Sequence, residues 1–257
     1  MPPSLSVIII TKNEADNLHD CLQSLAGIQA ELIVVDSGSS DATVQIARDA
    51  GATVIQTASW PGFGPQKNIA LAAATCDWVL SLDADERLTP ALREQILAAI
   101  SHGAFKSYEM PRLSYFCGQP IRHGGWYPDY ILRLFERGHA RFSDHLVHER
   151  VLADGETGRL DSPLLHYNYR NQGDVERKIT SYSDAGAQQL FLRGKQSNLV
   201  SAAVHGGWAF IRTYVLRLGF LDGVAGYQIA RMNQRSSQLK YAKLCALRSQ
   251  ALAKSPL

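Results

Sequence analysis

Short, nearly continuous apolar runs alternate with amphipathic stretches along the first third of the chain. Leu5-Ser6-Val7-Ile8-Ile9-Ile10 is rich in β-branched residues with almost no polar interruption, the pattern of a parallel strand covered on both faces. Thr11-Lys12-Asn13-Glu14 breaks the run, and from Asn17 to Leu25 the apolar residues Leu18, Cys21, Leu22 and Leu25 return at helical spacing. Glu31 to Val35 predicts a second strand, ending in the turn-forming stretch Asp36-Ser37-Gly38-Ser39-Ser40-Asp41. A helix over Thr43 to Ala50, closed by Gly51, leads to a third strand at Val54 to Thr57. A helix over Pro65 to Ala74 and a strand over Asp77 to Leu82 complete the alternation. It predicts an α/β fold with a mostly parallel, doubly wound sheet. In such sheets ligands gather beyond the carboxyl ends of the strands, where Thr11, Asp36 and Asp83 all fall.

After Ile100 the alternation fades. Segment 105–168 holds strand-like pieces such as Tyr130-Ile131-Leu132-Arg133-Leu134-Phe135 among loops rich in Gly, Pro, His and aromatic residues. From about Gly173 the pattern is helical. Residues 199–230 are apolar with interruptions at His205, Arg212, Arg217 and Asp222, and from 212 onward basic residues face Asp222 as the sole acid. Such a segment suits an anionic membrane surface; a helical appendage packed on the core or forming a dimer is the alternative. The expected organisation is a catalytic domain over 1–170, divided into halves at 1–100 and 101–170, and a basic helical extension over 171–257.

The net charge of +2 over 257 residues is too small to point to nucleic acid as a partner. Cys21, Cys76, Cys117 and Cys245 are scattered, with no C-x-x-C pair, and read as reduced, mostly buried thiols of a cytoplasmic protein. The start of the sequence lacks the charged and apolar regions of a secretory leader, and no run of about 18 apolar residues predicts a simple membrane-spanning helix.

The chemistry centres on Asp83-Ala84-Asp85, delivered by the apolar run Trp78-Val79-Leu80-Ser81-Leu82. Carboxylates at the end of a buried strand need a compensating cation or hydrogen-bond donors. Mg²⁺ or Mn²⁺ suits such hard oxygen ligands and takes the rest of its shell from water and substrate phosphates. The plainer alternative has Asp85 starting a turn or capping the helix expected near Thr89-Pro90, with Asp83 hydrogen-bonded locally.

Four ordered motifs, Val7 to Glu14, Ile33 to Asp41, Gln66-Lys67-Asn68 and Leu82 to Glu86, together resemble the family 2 glycosyltransferases. The resemblance implies a GT-A fold, Rossmann-like in its nucleotide-sugar half, and a UDP-sugar donor. It also implies roles. Thr11, Glu14 and Asp36 would hold the base and ribose, while Asp41 braces its loop or meets the ligand. Lys67 would reach the diphosphate or donor sugar, unless it is merely a solvated helix lysine. Asp83 would face the ribose or sugar and Asp85 would ligate the metal, with Asp83 and His166 as further candidate ligands; a satisfied core histidine is the other reading of His166.

In the second half, Gly125-Trp126-Tyr127-Pro128-Asp129, Arg133-Leu134-Phe135 and His145-Leu146-Val147-His148-Glu149 look like the acceptor side of bacterial members of this family. Inverting transfer needs a base for the acceptor hydroxyl. Glu149 is the first candidate, His148 its orienter or alternative, and Asp129 the runner-up. Trp126 and Tyr127 would stack on a sugar or pack in the core. These segments, with Phe220-Leu221-Asp222-Gly223 and the basic tail, look most like lipopolysaccharide-core β-1,4-glucosyltransferases. That implies a peripheral enzyme on the cytoplasmic face of the inner membrane, transferring glucose from UDP-glucose to a heptose of a lipid-anchored saccharide. Two other classes compete: a sugar-phosphate nucleotidyltransferase, which would carry a Gly-rich basic loop after the first strand in place of Thr11 to Glu14, and a non-catalytic nucleotide-sugar binding protein.

Overall fold

Strand β1, Leu5–Thr11, is buried at all seven positions because the sheet is covered on both faces. Val7 and Ile9 join one apolar cluster with Leu18, Leu80, Leu92 and Ile96; Ile8 and Ile10 join another with Ile33, Val35, Ala70 and Phe135. The two-residue period of a strand thus feeds both clusters from one continuous apolar run. The computed structural model describes residues 3–143 and 150–254. The chain divides into two units, one of Met1–Arg112 and Asp129–His166, the other of Leu113–Pro128 and Tyr167–Leu257.

After β1 come α1 (Ala15–Gln23), β2 (Glu31–Asp36), α2 (Thr43–Asp49), β3 (Thr53–Gln56), α3 (Phe63–Ala73), β4 (Trp78–Asp83), β5 (Glu86–Leu88) and α4 (Pro90–His102). Strands β6 (Ser107–Phe116), β7 (Gln119–Pro120), β8 (Asp129–Glu136), β9 (Ala140–Phe142), β10 (Val151–Ala153), β11 (Gly158–Arg159) and β12 (Leu164–Tyr169) follow. The main sheet has the order β3-β2-β1-β4-β8-β6-β12-β5, and β9 pairs separately with β10. Pairing is parallel from β3 to β4 and antiparallel at β4–β8, β8–β6 and β12–β5. The expected parallel sheet is therefore the first half of a mixed one.

Strand order reverses beside β1, whose neighbours are β2 and β4, so a crevice opens beyond these carboxyl ends. Register aligns Thr11 with Asp36 and Ile10 with Asp83, which puts the three polar residues on one edge. Helix α4 is capped by Thr89, whose side chain accepts from Leu92 N at 3.2 Å, with Pro90 in the first turn. Asp85 is therefore not its cap; it lies in the two-residue turn between β4 and β5.

In the second unit, the stretch expected to be helical from about Gly173 holds three α-helices: α5 (Gln172–Leu192), α6 (Leu199–Ile211) and α7 (Gly223–Lys254). Asn171 and Asp174 form a reciprocal capping box at the start of α5. Asn198 caps α6 by accepting from Ser201 N at 2.7 Å. A π-helical turn, Arg212–Leu216, and a 3₁₀ turn, Gly219–Asp222, separate α6 from α7. Phe116, Ile121, Tyr169, Val175, Ile179, Ala225 and Ile229 form this unit's core. That cluster explains why 113–128 belongs with the helices, where the sequence expectation grouped it with 101–170. No described helix is long and apolar enough to cross a membrane. All four cysteines are free, but Cys21 is buried and Cys117 exposed, so burial is not common to them.

Leu80 has no exposed surface at the centre of β4 and packs in the larger cluster. Leu80→Ala is expected to lower the unfolding free energy by about 2–5 kcal/mol, read from urea denaturation of the two proteins.

Candidate active site

The turn after β4 is held by charge. Asp83 Oδ1 lies 2.8 Å from Lys67 Nζ and Oδ2 lies 2.5 Å from Arg133 Nη2. The same Arg133 nitrogen donates to Glu86 Oε1 at 2.7 Å, and Glu86 Oε2 accepts the Asp83 backbone N–H at 2.9 Å. Arg112 stands 3.8 Å from Glu86 and donates to Asp129 Oδ2 through Nε and Nη2 at 3.0 and 2.6 Å. Glu86 is fully buried and Lys67 only 2% exposed, which removes the reading of Lys67 as a solvated helix lysine.

Burial alone would raise the pKa of Asp83, but the charges of Arg133 and Lys67 outweigh it and hold the carboxyl well below the usual range. Burial likewise opposes the charge on Arg133, and the anions Asp83 and Glu86 more than compensate, raising its pKa. Burial and the nearby Glu86 push the Cys21 thiol up, so it stays neutral beside the Asp83 carbonyl.

The motif Gln66-Lys67-Asn68 fixes α3 at three points. Gln66 Nε2 donates to Ser37 Oγ at 2.9 Å and to Thr57 Oγ1 at 3.0 Å. Asn68 exchanges two 3.0 Å bonds with the backbone of Phe142, at the end of β9. Ser143 and Arg150 pair across residues 144–149, with Ser143 N donating to Arg150 O at 2.9 Å and Arg150 N to Ser143 Oγ at 3.0 Å. Glu149 and His148, the leading base candidates, lie outside the described residues.

Asp36 is buried and fully engaged. Its Oδ1 accepts from Thr11 Oγ1 at 3.1 Å and from Ser39 Oγ, and its Oδ2 from Gly38 N and Ser39 N at 3.0 and 2.8 Å. Gly38, at φ +80°, supplies the left-handed residue this loop requires. Glu14 accepts from Asn17 Nδ2 at 2.8 Å, and its N–H donates to Thr43 Oγ1. Asp41 accepts from Thr43 and from Ala15 N, bracing its loop.

Asp85 Oδ2 lies 3.4 Å from His166 Nε2, because antiparallel β12 sets His166 opposite Glu86. A carboxylate and an imidazole at that spacing both come within reach of one cation bound at about 2.1 Å. Among the described residues no group of three His, Cys, Asp or Glu side chains is arranged to hold a metal. A cation here would have two protein ligands and fill its shell from phosphate and water, the usual arrangement for Mg²⁺. Asp83 fits that role poorly, since both of its oxygens already meet cations. Asp129 is engaged by Arg112, and Trp126 packs on Phe116 and Tyr169, with centroids 6.2 and 5.7 Å away.

A cavity of about 500 Å³ adjoins the cluster, lined by Lys67, Asp83, Arg112, Asp129, Arg133 and Arg150 among others. Four cations against two carboxylates suit an anionic ligand. Sequence reasoning gave no role to Glu86 or Arg112, and read Arg133 only as part of an acceptor-side segment. The available signal was a lone arginine inside the apolar run Tyr130 to Phe135, which needs a buried anion.

Comparison with known proteins agrees with this geometry. Residues 6–153 match the sequence profile described as Glycosyl transferase family 2. The chain is 31% identical over 237 residues to the lipopolysaccharide core biosynthesis glycosyltransferase LpsC of Rhizobium meliloti (strain 1021), covering 87% of this chain and 85% of that protein. It is 29% identical over 252 residues to an uncharacterized glycosyltransferase of Rickettsia typhi, covering 93% of this chain and 86% of that protein. In fold it is similar to residues 1–349 of S. aureus TarS, solved in complex with UDP-GlcNAc. The TM-score is 0.52 at 15% identity, over 93% of this chain and 92% of that one. The mixed sheet with its polar carboxyl edge is that of a GT-A glycosyltransferase. The chain belongs to glycosyl transferase family 2.

Arg133→Met leaves Asp83 and Glu86 without their shared cation. It is expected to lower the unfolding free energy at pH 7 by about 3–5 kcal/mol in urea denaturation. Because the folded pKa of Asp83 lies below its ordinary 3.8, its stabilisation is complete above that value and is lost as pH falls through the folded pKa. The variant's stability is accordingly expected to fall less steeply than wild type below about pH 4.

Proposed function

We propose that this glycosyltransferase is a metal-dependent, inverting hexosyltransferase that moves glucose from UDP-glucose to a hydroxyl of a membrane-anchored saccharide, the inner-core heptose of lipopolysaccharide. The observation that carries the reading is the cation-rich cavity at the sheet's carboxyl edge, where Lys67, Arg112, Arg133 and Arg150 suit a diphosphate. LpsC, a relative by more than 30% identity over most of both chains, supports the lipopolysaccharide core as the acceptor class. In this reading the enzyme works at an anionic membrane surface on the cytoplasmic side, where UDP-sugars and lipid-linked acceptors meet.

Thr11, Glu14 and the loop shaped by Asp36 take the nucleoside end of the donor. Asp83 acts on the donor side by holding Lys67 and Arg133 at the cavity wall. Asp85 and His166 would hold Mg²⁺ or Mn²⁺, which would neutralise charge on the departing diphosphate. Glu149 takes the acceptor proton as the hydroxyl oxygen bonds to the anomeric carbon and the bond to UDP breaks. Asp129 lines the cavity, but its carboxylate is taken up by Arg112, which favours Glu149 as the base in this reading.

A panel of nucleotide sugars scored for metal-dependent hydrolysis tests class and donor together. UDP-glucose with Mg²⁺ or Mn²⁺ is expected to respond, and absence of any UDP-sugar response overturns the reading. Asp85→Ala is expected to abolish metal-dependent UDP binding in calorimetry; unchanged affinity removes Asp85 from the metal site. Glu149→Gln is expected to lower transfer by about 10²-fold or more with UDP affinity nearly intact. Activity within a few-fold of wild type shifts the base to Asp129.

A further inference from the structure

Helix α6 is built inside out. Its buried residues are small, Ala202 and Gly206, and a Cβ at Gly206 would stand 3.1 Å from Gln238 Cβ and 3.2 Å from Gln234 O on α7. Its large apolar residues are the exposed ones: Leu199 at 74%, Val204 at 64% and Trp208 at 53%, with Val200 and Ile211. The same sorting continues through the turns into α7. Thr213, Gly219, Asp222 and Ala225 are buried, while Leu216, Leu218, Phe220, Leu221 and Val224 are exposed. The buried polar groups are satisfied within the hairpin's own unit. Asn233 Nδ2 donates to Thr213 Oγ1 at 3.0 Å, and Asp222 accepts from the backbone N–H groups of Arg122 and His123 and pairs with His123 Nδ1 at 2.9 Å.

A hairpin that faces water sorts its residues the opposite way. Helices that meet in lipid use small residues and hydrogen-bonded polar groups at the contact and turn large apolar side chains outward. We propose that residues 199–227 form a wedge that seats in the interfacial layer of an anionic phospholipid bilayer without crossing it.

Charge selects lipid over a second copy as the occupant. Between 185 and 254 the only acid is the buried Asp222, whereas Arg193, Lys195, Arg212, Arg217 and Arg231 are exposed. A second copy would bring like charge to the contact; anionic headgroups bring the opposite. Depth is limited from two sides. Helix α6, with 13 residues, is about 20 Å long, shorter than a hydrocarbon core of about 30 Å. Arg212 and Arg217, inside the wedge, are exposed charges that hold this part of it at the phosphate level. Interfacial seating to roughly 5–10 Å satisfies both.

The wedge gives the reading of a lipid-anchored acceptor its physical basis and rests on that reading for its purpose, but the contact is testable without donor or acceptor. The full-length protein is mixed with vesicles of phosphatidylcholine and phosphatidylglycerol whose acyl chains carry bromine, and Trp208 emission is taken as the difference between wild type and Trp208→Phe. Wild type is expected to float with the vesicles and its Trp208 emission to be quenched, with quenching that persists in part at high salt. Val204→Glu combined with Leu221→Glu is expected to weaken vesicle affinity by about tenfold or more, with circular dichroism and UDP affinity unchanged. Absence of Trp208 quenching, or wild-type flotation of the double variant, overturns the proposal. So does a wild-type dimer that the double variant dissociates, in protein that does not bind vesicles. Loss of UDP binding in protein that still floats overturns the proposed function and leaves the wedge standing.

Discussion

The working edge of the catalytic unit depends on one buried arrangement of charge, in which Asp83 and Glu86 share Arg133 and Asp83 also holds Lys67. The four residues come from the end of β4, the start of β5, the middle of β8 and the first turns of α3. Each charge is affordable at that depth only while its partners are in place. A shift of any one element leaves a buried charge unmatched, so the cluster fixes the elements against each other. Its product is a rigid two-residue turn that presents Asp85 beside His166, and a cavity wall with an excess of positive charge.

The division of labour between the two aspartates follows from this. A carboxylate bonded to two cations is a weak attractor for a third. Asp85, in the turn two residues further on, lies beside His166. In the proposed function two carboxylates two residues apart thus serve opposite purposes, one anchoring the protein's own cations and the other offering oxygen to a metal.

How much of this was legible in the sequence depends on how local each feature is. Strands β1, β2 and β4 announced themselves, because two-sided burial demands an unbroken apolar run and Leu5 to Ile10 has one. Asp83, Lys67 and Asp36 were visible as polar residues at strand ends and in a helix start. The short β5 was not, since three residues carry no period. Strand β6 was hidden by Pro111 and Arg112 inside it, and tertiary pairing with β8 and its other neighbours makes it a strand. Glu86, Arg112 and Arg133 escaped assignment because their partnership is a matter of register between strands far apart in sequence. The apolar stretch over 199–230 was plain as composition, yet composition cannot say whether its large residues point inward or outward; the small residues on α6's packed face decide that.

In the proposed function Asp85 and His166 hold the cation while Asp83 keeps Lys67 and Arg133. Crystals of the protein grown with UDP and Mn²⁺, measured at an energy where manganese scatters anomalously, read this directly. An anomalous peak bonded to Asp85 and His166 is expected, with Asp83 still paired to Lys67 and Arg133; this bears directly on the proposed site. A peak bonded to Asp83 with those cations displaced, or UDP bound in full with no peak at Asp85, contradicts it.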